Sequence, residues 1–344
     1  MMILTSSSSS SSSSSCVDTV TLVLVVPSHV QGLWSWFQAC LQPICETHAL
    51  MDTPPVVLGT TDCGNFPIAL SCQLNLFDES LRPTCKQALT QQCLDAFKSH
   101  GLPLDWAWLD AASSPRRKKL LVSDMDSTLL QGECIDELAE QIGLKPKVAE
   151  ITARAMRGEL PFEPALRERV ALLKGLSTEV IHKTLAALPY MPGADALCAT
   201  MKHYANATLV LVSGGFSLFT KPVMTTLGMD AQYSNVLGVC PVTQTLTGEV
   251  LGDETLGVLV GQATKQQVLE MYTQKLGLAL QDTLAVGDGA NDLAMILRSG
   301  MGVAYHAKPL VAAQAHYTVQ YTDLTTLLYF QGYSQKEFRV PSAP

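Results

Sequence analysis

The stretch KKLLVSDMDSTLL, Lys118 to Leu130, decides the fold. Its run from Lys119 to Ser123 is too short for a stable helix and suits a buried strand of a parallel sheet, where ligands gather beyond the strands' carboxyl ends. Asp124 and Asp126 stand at that end, and in an extended segment residues i and i+2 point the same way. Two carboxylates in one pocket repel unless a cation or a shared proton intervenes, so a divalent metal is the first partner the pair suggests. An ordinary strand end followed by a polar turn has the same pattern, and a lone D-x-D does not separate the two. A calcium loop also opens D-x-D but needs glycine at its sixth position, where this chain has Leu129.

Downstream, the pattern turns helical near Cys134 to Ile142, Lys147 to Arg157, Glu163 to Leu173 and Thr178 to Ala187. Four short helices without a strand, roughly residues 133–188, read as an insertion that is either a water-excluding cap or further scaffold. Strand signals return at Thr208 to Val212, which runs into SGGF, Ser213 to Phe216. A hydroxyl and two glycines at a strand end let backbone N–H groups approach an anion, although Ser-Gly-Gly is also an ordinary turn. Short β-prone pieces between residues 233 and 257 suggest a small antiparallel flap. Lys265 then opens a helix, a position that opposes the helix dipole and calls for another reason such as a phosphate. Thr283 to Val286 predicts another buried strand, ending in GDGAND, Gly287 to Asp292, which does not complete a dinucleotide-binding G-x-G-x-x-G. A strand at Met301 to Tyr305 and a helix near Lys308 complete an alternating βα order, which implies an α/β doubly wound, Rossmann-like parallel sheet over residues 120–332.

Upstream, residues 18–110 read as β-α-β-β-α-β: strands at Thr19 to Val26, Val56 to Thr61, Pro67 to Leu74 and Leu104 to Leu109, with helices at Val30 to Leu41 and Leu81 to Phe97. Ile68, Leu70, Cys72 and Leu74 recur every second residue, which gives that strand one core face. This is the order of an α+β ferredoxin-like split unit, a fold that says little about function. Having no cluster of ionisable residues, the unit reads as structural or dimerising, with a homodimer as the corresponding assembly, ahead of ligand sensing. Residues 111–119, AASSPRRKK, read as a linker with a solvated basic run, residues 1–17 with ten consecutive serines as a disordered leader, and residues 333–344 as a tail without assigned role.

With 344 residues, 47% hydrophobic and 16% charged, the chain has material for two or three compact domains. A formal charge of -8 argues against a nucleic-acid partner. Ten cysteines without a C-x-x-C pair read as reduced, mostly buried thiols of a cytoplasmic protein. No apolar stretch approaches the about 20 residues needed to cross a bilayer, and no basic residue precedes Arg82 to flank an export signal.

Each motif is weak singly, but Asp124/Asp126, Ser213, Lys265 and Asp288/Asp292 are four signals in chain order that define one coherent site. Acidic groups for a divalent cation, with Ser, Lys and backbone donors for an anion, are what phosphoryl transfer requires. Over about Leu120 to Leu328 the chain closely resembles the haloacid dehalogenase superfamily of phosphatases. The resemblance rests on DMDSTLL (Asp124 to Leu130), GECIDELA (Gly132 to Ala139), GELPFEPALRERVALLKG (Gly158 to Gly175), LVSGGF (Leu211 to Phe216), Lys265 and VGDGANDL (Val286 to Leu293). The amino-terminal unit resembles the extra, ACT-like domain of a long bacterial form.

That resemblance implies a Mg²⁺-dependent phosphatase that hydrolyses O-phosphoserine through an aspartyl-phosphate, the last step of serine biosynthesis. It implies Asp124 as nucleophile and Asp126 as general acid and base. Asp124, the backbone carbonyl of Asp126 and Asp288 would bind Mg²⁺ with Asp292 in support, and Ser213, Gly214, Lys265 and Asn291 would hold the phosphoryl group. Glu133 would take the substrate ammonium and Arg169 its carboxylate, with Met156 and Phe162 as pocket walls. Two further readings stay open: the same machinery serving another small phosphomonoester or a phosphotransfer, and a non-catalytic amino-acid or phosphate sensor.

Overall fold

The computed structural model of the chain describes residues 18–30, 33–42, 55–59, 67–76, 95, 103–109, 115–156 and 159–340. The serine-rich leader, nearly all of the expected helix from Leu81 to Phe97 and the linker before Pro115 lie outside those residues.

Alternation builds the centre. In β5 (Leu120–Ser123) every residue is buried, and successive side chains serve two cores. Leu121 joins one face, Leu120 and Val122 the other. β6 (Thr208–Phe216) and β9 (Thr283–Gly287) flank it in parallel. They divide the same way, Leu209, Leu211, Leu284 and Val286 on one face and Val210, Val212 and Ala285 on the other. A strand covered on both faces reads as an unbroken apolar run, and each buried Leu or Val contributes about 1.5–3 kcal/mol.

Outside β9 come β10 (Met301–Tyr305) and β11 (Tyr317–Val319), both parallel. Outside β6 comes β7 (Ala231–Cys240), and β8 (Thr245–Leu251) adds to it antiparallel as the flap. The order β11-β10-β9-β5-β6-β7-β8 reverses its direction of winding at β5. The crevice at the carboxyl end of β5 is therefore the topological switch point of a doubly wound sheet.

Four helices form the insertion, Cys134–Gln141, Lys145–Met156, Phe162–Ala171 and Thr178–Ala187. The chain enters and leaves it side by side: Leu130 bridges Tyr190, Gln131 N donates to Pro189 O at 2.9 Å, and Met191 N donates to Leu129 O at 2.8 Å. The flap is bonded to this cap through Gly175 N to Leu246 O and Leu246 N to Leu176 O, both 2.8 Å.

At the amino-terminal end β1 (Asp18–Val26) pairs antiparallel with β3 (Ile68–Leu76) and β4 (Asp105–Leu109), and β3 with β2 (Val56–Gly59). The order β2-β3-β1-β4 is that of the split β-α-β unit. Val30, where the helix was expected to begin, closes a turn on Pro27 O; residues 31 and 32 lie outside the described residues, and the helix is described over Leu33–Trp36. After Trp36 it widens into a π-helix, Phe37–Leu41. β4 also pairs with β11 at Trp106 and Thr318, so among the described residues one sheet of eleven strands runs through both units.

The basic run before β5 is not the solvated linker its composition suggests. Arg117 pairs with Glu337 at 2.7 Å and lies 4.2 Å over the Tyr333 ring, which gives residues of the tail a packing role. Lys118 is fully buried; its ammonium donates to Pro115 O and Gln281 O, both at 2.7 Å. A charge buried at a point where two chain crossings offer carbonyls is tolerated because its donors are satisfied. Burial nevertheless lowers the Lys118 ammonium to about 8. Between pH 8 and 10.5 the unfolded chain then holds a proton on this residue that the folded chain has released, so stability rises with pH in that window. Relative to Lys118→Met, the wild type is expected to gain on the order of 3 kcal/mol across it. Denaturant titrations of both proteins at pH 7.5, 9 and 10.5 check this, and a difference that does not change with pH refutes it.

Candidate active site

The end of β5 is closed by a tight turn. Met125 O accepts from the backbone N–H groups of Thr128, Leu129 and Leu130, and Ser127 N donates to Gly132 O at 3.0 Å. Ser127 takes a left-handed φ of 55°, which folds the chain back so that Glu133 returns over the two aspartates. Asp124 N is bonded to Val286 O, which ties this turn to the end of β9. Asp288, one residue beyond β9, is thereby brought beside Asp124. The carboxylates of Asp124, Asp288 and Asp292 all lie within 4.8 Å of one another.

Asp124 is 4% exposed, its Oδ1 accepts from Met125 N at 2.7 Å, and its Oδ2 lies 2.7 Å from Lys265 Nζ. Lys265 Nζ also reaches Asp292 Oδ1 at 2.6 Å. The helix carrying this lysine begins at Gln262, not at Lys265 as its sequence suggested. Lys265 lies a turn inside it and is buried there because two carboxylates compensate its charge. Burial opposes that charge, but Asp124 and Asp292 outweigh it and raise the ammonium above its ordinary value. Burial in turn holds the Asp292 carboxyl well up, with the Asp124 charge adding to it.

Asp126 is held apart from this cluster. Its Oδ1 accepts from Cys134 N at 3.2 Å, at the start of the first cap helix. A Cβ on Gly215 would come within 3.1 Å of Asp126 Oδ2 and 3.0 Å of Ser213 Oγ, so glycine lets β6 pass this close without pushing either side chain aside. Burial, then the Glu133 carboxylate, push the Asp126 carboxyl up to about 8. Asp288 is likewise raised to about 7, by burial and then by Asp124. The two aspartates of the D-x-D are thus differentiated: one paired with an ammonium, the other kept in its proton-bearing form near neutrality.

SGGF is not a turn after a strand. It lies inside β6, whose register shifts between Val212 and Phe216. The shift turns Ser213 and Gly214 toward the crevice, and Ser213 Oγ accepts from Gly215 N at 2.9 Å.

A cavity of about 760 Å³ opens here between sheet and cap. Asp124, Asp126, Asp288, Asn291, Ser213 and Gly214 line its floor. Glu133, Arg169 and Phe162 line it from the cap. Lys265 and Asp292 lie beneath that floor and are completely buried. Met156 ends the second cap helix, and its side chain lies outside the described residues. Glu133 meets the water of the cavity while protein encloses it on its other sides; burial raises its carboxyl, and Ser127 Oγ donates to it at 3.0 Å. Arg169 Nε donates to Ala165 O at 3.3 Å. Phe162 packs against Gly261, where a Cβ would come 3.1 Å from its ring.

Two charged residues of the lining escape the sequence reading, Asp136 and Lys308. Asp136 could have been found, since it follows Glu133 by one helical turn. Lys308 is remote in sequence from every motif, and only the topology brings it in.

A divalent cation suits the donor set. Three carboxylates converge at one strand-end crevice, and hard oxygen donors of this kind are what Mg²⁺ accepts.

The family model described as haloacid dehalogenase-like hydrolase matches residues 121–297. A probable phosphoserine phosphatase of Schizosaccharomyces pombe is 42% identical over 234 residues, 68% of this chain and 76% of that protein. Among solved structures, the unliganded probable phosphoserine phosphatase of Vibrio cholerae superposes with a TM-score of 0.66 at 30% identity, covering 92% of this chain and 87% of the other. A phospho-aspartyl intermediate analogue of phosphoserine phosphatase gives a TM-score of 0.56 at 36% identity over 62% of this chain and 99% of its own.

Proposed function

Because the chain belongs to the haloacid dehalogenase-like hydrolase family, we propose that it hydrolyses O-phosphoserine to serine and phosphate, the reaction its relatives are named for. One observation carries the reading: a single cavity joins the Asp124 and Asp126 pair of the sheet to the Glu133 and Arg169 pair of the cap. The first pair suits phosphoryl transfer, the second an amino acid.

In the first step an Asp124 carboxylate oxygen attacks phosphorus and the bond to the serine oxygen breaks. Asp126, protonated near neutrality, gives its proton to that leaving oxygen. In the second step the Asp126 carboxylate takes a proton from water as the water oxygen attacks phosphorus, which frees phosphate and restores Asp124. Ser213, the N–H of Gly214, Asn291 and Lys265 hold the phosphoryl oxygens, donors placed before the charge develops. Mg²⁺ would be held by Asp124, the Asp126 carbonyl and Asp288 with Asp292 in support, and would neutralise phosphoryl charge. Phe162 covers the apolar side of the substrate.

Glu133 receives the ammonium and Arg169 the carboxylate, for which a planar fork of donors is suited. Purified protein should release phosphate from O-phosphoserine in the presence of Mg²⁺ and fail to do so with chelator. Arg169→Ala is expected to lower kcat/KM for O-phosphoserine roughly 10- to 100-fold, the cost of a lost charge-assisted contact, while changing turnover of p-nitrophenyl phosphate little. Equal losses on both substrates would remove Arg169 from carboxylate recognition. A wild type inactive on O-phosphoserine but active on other monoesters would replace the substrate.

A further inference from the structure

The cavity is crowded with acidic groups. Asp124, Asp126, Glu133, Asp136 and Asp288 all line it, beside two cationic side chains, Arg169 and Lys308. A phosphomonoester dianion entering it carries charge that a lining cation can meet before the phosphoryl group reaches Asp124. Lys265 lies beneath the floor, paired with Asp124 and Asp292, and acts at the end of the route and not at its entrance. Arg169 faces Glu133 and Asp136 in the cap. Lys308 comes from the opposite, sheet side, three residues beyond β10, and lines the same cavity as Asp124, Glu133 and Asp288.

The backbone holds it there. Pro309 follows at the first position of a short helix and keeps Lys308 extended, with φ -59° and ψ 147°. The two residues before it are tied to the strand end of β11: His306 N donates to Val319 O at 2.7 Å, and Gln320 Nε2 donates to Ala307 O at 3.2 Å. Gln320 is itself anchored by the amino-terminal unit. Asp105 of β4, 3% exposed, accepts from Gln320 N at 2.7 Å, Tyr321 N at 3.0 Å, Thr322 N at 2.9 Å and Thr322 Oγ1 at 2.6 Å. A buried carboxylate with four donors holds its segment firmly. Asp105, Gln320, Ala307 and Lys308 therefore form one hydrogen-bonded and covalent path from β4 to the cavity.

We propose that Lys308 is a further substrate-binding residue, a cation that receives the phosphoryl group at the cavity mouth, and that the amino-terminal unit positions it through Asp105 and Gln320. The inference rests on the phosphomonoesterase reading above and deepens it. Lys308 recognises the phosphate common to all monoesters, whereas Arg169 recognises the carboxylate of one.

The test is Lys308→Gln, with steady-state kinetics on O-phosphoserine and p-nitrophenyl phosphate and with inhibition by inorganic phosphate. Both KM values and the inhibition constant for phosphate are expected to rise about five- to tenfold, with most of the loss in kcat/KM lying in KM. Lys308→Arg, which keeps the charge, should retain most of the affinity. A phosphate inhibition constant within twofold of wild type, or equal losses in both variants, overturns the proposal. Gln320→Ala should reproduce part of the rise and add nothing in combination with Lys308→Gln; additive effects overturn the positioning path. A wild type without activity on any monoester overturns the preceding reading, while normal wild-type turnover with an unaffected Lys308→Gln overturns only this one.

Discussion

Asp124→Asn is expected to lower kcat for O-phosphoserine by on the order of 10⁴-fold or more, the scale on which a covalent nucleophile's removal is felt. Asparagine has the same shape, and its Oδ1 can still accept from Met125 N, which Asp124 holds at 2.7 Å. The loss therefore falls on chemistry, because an amide oxygen is a poor acceptor for a phosphoryl group. The substitution also removes one of the two carboxylates paired with Lys265, leaving Asp292. A buried ammonium with one counter-charge remains compensated, so a cooperative unfolding transition should survive. Stopped reactions analysed by intact mass should show a phosphorylated species in the wild type and none in the variant. A variant that retains a few per cent of turnover would assign the attack to another group.

Asp126→Asn is expected to cost about 10²–10⁴-fold in kcat on O-phosphoserine, the usual contribution of a positioned proton donor. The effect should be smaller for p-nitrophenyl phosphate in the first chemical step, since that leaving group departs without needing a proton. Mg²⁺ affinity by calorimetric titration should stay within several-fold of wild type, because the proposed ligand at this position is a backbone carbonyl. The Asp126 carboxylate is bonded to Cys134 N and does not belong to the cluster of Asp124, Asp288 and Asp292. Abolished Mg²⁺ binding would overturn that division of roles.

Lys265 illustrates how much of the candidate site is legible in the chain. A lysine near a helix start signals that something compensates it, and phosphate is the natural guess. The described partners are Asp124 and Asp292, from two different strand ends, and neither pairing follows from local spacing. The D-x-D was legible as a site because the apolar run before it is short and the sheet is parallel. Its two acids separate in character only in the fold, through burial and then Glu133 at Asp126 and through the Lys265 pairing at Asp124. Ser213 and Gly214 were legible as donors but not as part of a strand, since a register shift within β6 leaves no mark in composition.

The basic run before β5 is the clearest failure of local reading. Four adjacent cations next to a proline resemble a solvated linker, yet Lys118 is buried and Arg117 is paired with Glu337, 220 residues away. Composition reports the average preference of a side chain for water. It carries no information on whether distant carbonyls or carboxylates will meet it.

Periodicity and strand-end chemistry, which depend on residues within a few positions of one another, were sufficient to specify a doubly wound sheet and a helical insertion after its first strand, and to single out Asp124, Asp126, Ser213, Lys265 and Asp288 as candidates. Folding alone decided which of these groups touch. It buried Lys265 between two acids, raised the Asp126 carboxyl, and carried Lys308 to the cavity through a sheet that joins both units at Trp106 and Thr318. The reason is physical: pairing energies and proton affinities depend on distances of a few ångströms and on exclusion of water, and both are set by contacts between segments far apart in the chain.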